Sequence, residues 1–281
     1  MRKNLIYARR LRGDIGPLNN DPASNLPGRI IAPAVSVTGV RQEYDEASTT
    51  QHYKIGSRMV VDERVFHYGK AGATLDCGLG AFNTYTQHIS FALVAIAASG
   101  ATSIVVTVGA GDGVAADGVI AEDELVGGYV VIFPADMTEV MNRRVVGNTA
   151  GTSGNPMTVD LDRPLSTALV GTDHAEIMAS QYLNVQTGGP YGFHTVVGMP
   201  PISATINQYL WLQTWGPVWI TPLAGAGAGN QNRRLYFREN GSVMRNDASG
   251  SYADSQLAGY VLANAPGEGQ GAPFTQLMLA P

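Results

Sequence analysis

Between Met59 and Tyr68 the chain reads "MVVDERVFHY", and polar and apolar positions interchange with the period of two that marks a strand. Val61, Glu63, Val65 and His67 project to one side, and Asp62, Arg64, Phe66 and Tyr68 to the other. Neither side is cleanly apolar, which predicts a single strand at a sheet edge or an interface rather than in a core. The glycine-punctuated "GKAGATLDCGLGAF" that follows predicts a tight bend.

Further short strands bounded by turn residues are predicted at "ATSIVVTVGAGDG" from 101, "GGYVVIFPA" from 127, "NPMTVDLDRPL" from 155 and "HAEIMAS" from 174. "ADMTEVMNRR", residues 135–144, predicts a short helix after Pro134. Trp211, Trp215 and Trp219 have helical spacing, but Gly216-Pro217 would break a helix, so two strands with a turn at that pair are predicted instead. Asn240-Gly241 between strand-like flanks is the strongest short hairpin signal in the chain. "LAGYVLANA" and "APFTQLMLAP" read as two closing strands, and no repeat of fixed period is present.

Before Met59 neither period is sustained. Residues 13–58 are interrupted by Pro17, Pro22, Pro27 and Pro33 among Asn, Asp and Gly, which predicts an extended arm lying on its own chain's surface or on a neighbour. The expected organisation is therefore all-β: an extended N-terminal arm over 1–58, a β-barrel or sandwich over 59–187, and a second small β domain over 188–281.

Composition supports the same class. Of 281 residues, 34 are glycine and only 15% are charged, against roughly 7% and 25% in ordinary globular chains. No long segment has the charged outer face of a solvated helix. The net charge of −5 argues against nonspecific nucleic-acid binding by the whole molecule. The start is the exception: Arg2, Lys3, Arg9, Arg10 and Arg12 all precede the first acidic residue, Asp14, as suits an acidic partner surface or a solvated tail. The basic start is followed by no secretory h-region, and the apolar run at 89–100 is too short to span a bilayer, so a soluble chain is expected.

The search for reaction chemistry yields little. One cysteine, Cys77, excludes an intramolecular disulfide and a CxxC metal site, and it reads as a small buried hydrophobe rather than a nucleophile. "GAGDGVAADG", 109–118, has Val114 where a dinucleotide loop needs its third glycine, so it reads as a turn. Asp112, Asp117, Glu122, Asp123 and Glu124 lack the alternation of a calcium loop and read as a solvated acidic segment. His52, His67, His88, His174 and His194 are scattered, with no helical zinc spacing among them. The tryptophans, with Tyr209, suit a core or subunit interface better than sugar or base stacking. No catalytic residue, metal site or cofactor is expected.

Two stretches taken together resemble structural proteins of tailed bacteriophages: "YKIGSRMVVDERVFHYGKAGATLDCG", residues 53–78, and "YLWLQTWGPV", residues 209–218, followed late in the chain by "AGYVLANA" and "FTQLMLAP". The resemblance covers about a third of the chain. It implies a head decoration or cement protein: a β-rich, homotrimeric, non-enzymatic subunit on the capsid surface of the virion, made in the host cytoplasm. Its partners would be the major capsid protein and further copies of itself, with no nucleic acid and no membrane. A tail, fibre or baseplate component is the alternative, and a carbohydrate-binding module a more distant one. On this reading Asp62, Glu63, Arg64, Lys70, Trp211 and Trp215 are candidate interface residues, together with the basic residues Arg2, Lys3, Arg9, Arg10 and Arg12.

Overall fold

The computed structural model describes residues 36–83, 88–136, 139–188, 194–223, 226, 233–245, 255–263 and 274–281. The candidate residues Arg2, Lys3, Arg9, Arg10 and Arg12 lie outside them. The fold is all-β, and among the described residues there is no helix. It follows that no helix there is long and apolar enough to cross a membrane.

The chain divides into two compact units, one formed by residues 1–84 with 184–281 and the other by 85–183. This differs from three segments in succession. The first unit contains β1 (Ala47–Ser48), β2 (Arg58–Val61), β3 (Arg64–Lys70) and β4 (Ala81–Phe82). The second contains β5 (Ile89–Leu93), β6 (Ser103–Thr107), β7 (Val119–Ile120), β8 (Tyr129–Phe133), β9 (Met141–Asn148), β10 (Gly151–Thr152), β11 (Pro156–Leu161) and β12 (His174–Met178). The chain then returns to the first unit with β13 (Gln186–Thr187), β14 (Val196–Gly198), β15 (Tyr209–Trp219), β16 (Arg234–Phe237), β17 (Val243–Arg245), β18 (Leu257–Ala263) and β19 (Phe274–Met278).

In the second unit the sheet order is β5-β12-β8-β9-β11-β6. Its two end strands meet again at the Val94–Val106 bridge, where the Ala95 amide donates to the Val105 carbonyl at 2.9 Å. The sheet thus curls into a half-barrel whose two end strands touch at a single bridge. Alternation explains the curl: on β8 Val130 and Ile132 are buried while Tyr129 is exposed, and on β11 Met157, Val159 and Leu161 point inward. The expected helix at 135–144 is absent. Residues 137 and 138 lie outside the description, and from Met141 the segment is β9, paired with both β8 and β11. Tertiary pairing there overrides a weak local signal.

The first unit is built on an antiparallel sheet of order β17-β16-β18-β19-β15-β3-β2, with β1 also paired to β15. The stretch expected to be one edge strand is a hairpin. Val61 pairs with Arg64 across a turn at Asp62-Glu63, and Asp62 adopts φ +54°. Its second strand, β3, is interior to the sheet, with Phe66 and Tyr68 fully buried. Gly216-Pro217 makes no turn: β15 runs through it for 11 residues, with Gly216 at φ +98°. The Asn240-Gly241 hairpin forms as expected, joining β16 to β17 with Gly241 at φ +81°. The two closing strands are present as the β18–β19 pair.

Candidate interaction surface

The stretches at residues 53–78 and 209–218, far apart in the chain, are hydrogen-bonded neighbours through β3 and β15. Tyr209 pairs with Lys70, Trp211 with Tyr68 and Gln213 with Phe66. These side chains share one face of the sheet because cross-strand partners project together. The face is roofed by the segment before β2. Tyr44 stacks on Phe66 with centroids 5.3 Å apart, and Tyr53 lies 5.0 Å from Trp211. Gln42 fastens this roof: its amide nitrogen donates to the Tyr209 and Glu46 carbonyls, its amide oxygen accepts from the Tyr68 hydroxyl at 2.6 Å, and its carbonyl accepts from Trp211 Nε1 at 3.1 Å. The described part of the arm, from residue 36, therefore covers its own sheet. Burial pushes the Tyr68 hydroxyl up to about 12, so it remains a donor at ordinary pH.

The charged candidates sit around this roof. Asp62 and Glu63 are exposed at the hairpin tip. Arg64 packs over the Tyr44 ring at 4.9 Å and approaches the Asp62 carboxylate at 3.8 Å. Lys70 Nζ lies 5.8 Å from the centre of the Tyr209 ring. Trp211 is 0% exposed, which removes it from the residues a partner can touch.

Trp215 has a different fate. Between the pairs Gln213–Phe66 and Trp215–Val65, β15 has one residue more than β3. Such a bulge reverses the facing of everything beyond it, so Trp215 projects from the face opposite Trp211. The extra residue, Thr214, is held by its neighbours: its hydroxyl donates to the Ala280 carbonyl at 2.6 Å and lies 3.2 Å from His67 Nδ1. Burial, assisted by Arg58, lowers the His67 pKa to about 4. In the half-barrel, burial lowers that of His88 to about 4 as well.

Beyond the bulge, one face of β15, β19 and β18 forms an apolar ribbon that the sequence reading missed. Trp215 pairs with Met278, Pro217 with Gln276, and Gln276 with Tyr260. Met278, Tyr260, Leu262 and Phe274 are between 37% and 43% exposed, whereas Thr275 and Leu277, which alternate with them, are buried. The signal was present in the alternation of "FTQLM", but its outward residues are apolar, so the exposed face could not be told from the buried one.

The other candidate chemistries are accounted for locally. Asp112 accepts backbone N–H groups from Gly109 at 2.6 Å and Ser90 at 3.3 Å, and Glu124 accepts from Ala121 and Val114. These carboxylates shape the loop, and among the described residues no three His, Cys, Asp or Glu side chains are grouped to hold a metal ion. Cys77 is exposed, not buried as expected. No family model, curated protein or solved structure matches this chain.

Proposed function

We propose that this protein is a non-enzymatic structural subunit of a bacteriophage head, which binds the assembled major capsid lattice and stabilises it, acting as a homotrimer. One observation supports the reading above the rest: the two resembling stretches, β2–β3 and β15, form one paired unit at the heart of a sheet rather than unrelated fragments. The titratable groups in that unit serve the fold. Arg64 is engaged with Tyr44 and Asp62, and His67 with Thr214, while Glu63 at the hairpin tip is exposed where a neighbour can meet it.

The stabilisation follows from mass action. A ligand that binds only the assembled lattice favours it by about 2.7 kcal/mol per site at a hundredfold excess over Kd. The purified protein, added to capsids that lack it, is expected to raise their melting temperature, and the charge-reversal pair Asp62→Lys with Glu63→Lys to weaken that effect. No shift at saturating protein would remove the proposal.

A further inference from the structure

The ribbon on β15, β18 and β19 is the feature with the least internal explanation. Trp215, Pro217, Tyr260, Leu262, Phe274 and Met278 line it, and the three strands contain no Asp, Glu, Lys or Arg. At the far end of β15, Trp219 is instead packed against the loop at Gly78, where an added Cβ would lie 2.6 Å from its ring.

We infer that this ribbon is the contact between copies of the chain. This deepens the self-association in the proposed function and rests on that part of it, not on capsid binding. Three arguments select a second copy as the occupant. The first is area: at about 200 Å² for a large apolar side chain, Met278, Tyr260, Leu262 and Phe274, each about two-fifths exposed, present about 320 Å². That is about two-fifths of the roughly 800 Å² per partner that a stable interface buries, leaving the remainder for a polar rim. The second is charge. The three strands hold no charged group, and the nearest one, exposed Arg234, pairs with Tyr260 at the ribbon's edge, so a second copy of a chain with net charge −5 can approach over the uncharged strands with Arg234 at the rim. The third is composition: aromatic residues and methionine with no charge form the centre of protein interfaces. Two such faces pack as sheet on sheet in a twofold pair, so the contact makes a dimer, and it departs from the trimer of the proposed function in that respect.

Sedimentation velocity of the full chain between 1 and 100 µM tests the inference. The protein is expected to sediment as an oligomer, and the double variant Tyr260→Lys with Phe274→Lys to dissociate at least a hundredfold more readily, with an unchanged circular dichroism spectrum. Should that variant fail to fold, Gln276→Lys places one charge at the ribbon's centre and is expected to weaken association at least tenfold. A monomeric wild type, or variants that associate as the wild type does, would overturn the inference. So would a monomer whose capsid binding alone is lost in the variants, which would give the ribbon to the capsid protein. An oligomer dispersed by these substitutions that leaves capsid melting unchanged would uphold the ribbon and remove the capsid reading.

Discussion

Tyr68 and Trp211 stand directly opposite on β3 and β15, ring centroids 5.0 Å apart with their planes at 66°, and donate to the side-chain and main-chain carbonyls of Gln42 respectively. Gln42 is 2% exposed, so these are bonds made away from water. Gln42→Leu leaves the Tyr68 hydroxyl and the Tyr209 carbonyl without those partners. A buried polar group so stranded costs about 1–3 kcal/mol. Thermal denaturation is expected to show a fall of about 4–8 °C, and Gln42→Glu, which sets an acceptor against the Tyr209 and Glu46 carbonyls away from water, is expected to lose at least as much.

Gly216 sits where β15 passes the β2–β3 turn. A Cβ there would lie 2.8 Å from the Glu63 carbonyl oxygen and 3.0 Å from Arg64 Cα, on a backbone at φ +98°. Both neighbours are backbone atoms and cannot swing aside. Gly216→Ala is expected to destabilise by more than about 2 kcal/mol, read from urea denaturation. A midpoint within error of the wild type would show that the close approach is relieved at little cost.

Asp62 is a non-glycine residue in a left-handed conformation, and its ion pair with Arg64 is long and half-exposed. Such a pair contributes at most about 1 kcal/mol, and glycine adopts the same backbone without steric penalty. Asp62→Gly is expected to melt no lower than the wild type, in contrast to Gly216→Ala.

His67 and His88 give acid sensitivity to both units. Each has a folded pKa near 4 against 6.5 for the free side chain, with burial as the main cause. The unfolded chain therefore binds more protons between those values, so stability is full above about pH 6.5 and falls as the pH drops toward 4. Each histidine accounts for up to about 3 kcal/mol of that loss. Denaturation midpoints from pH 7 to pH 4 are expected to decline in the wild type. His67→Asn and His88→Asn are each expected to flatten the decline, and an unaltered slope in both would refute the assignment.

Fold class was legible because strand signals are local: "GGYVVIFPA" and "HAEIMAS" became β8 and β12, and Asn240-Gly241 made its hairpin. What escaped depended on partners distant in the chain. Nothing near Gly216 announces that the β2–β3 turn lies beside it, so a glycine-proline pair inside a continuous strand looked like a turn. The spacing of Trp211 and Trp215 implied a shared face, and the bulge at Thr214 sent them apart. The charged hairpin tip was visible as candidate chemistry, whereas the apolar ribbon was indistinguishable from core until the pairing of β15 with β19 was known.

The pairing of Phe82 with Gln186 places the two ends of the half-barrel segment on adjacent strands. A ribosome delivers β3 long before β15, so Phe66 and Tyr68 emerge without the strand that will shelter them. The half-barrel segment is complete in the interval and can fold while synthesis continues. Once folded, it shortens the effective loop between the halves of the larger sheet, lowering the entropy lost when β15 finds β3. The insertion therefore acts during synthesis as a spacer that brings its own flanks together.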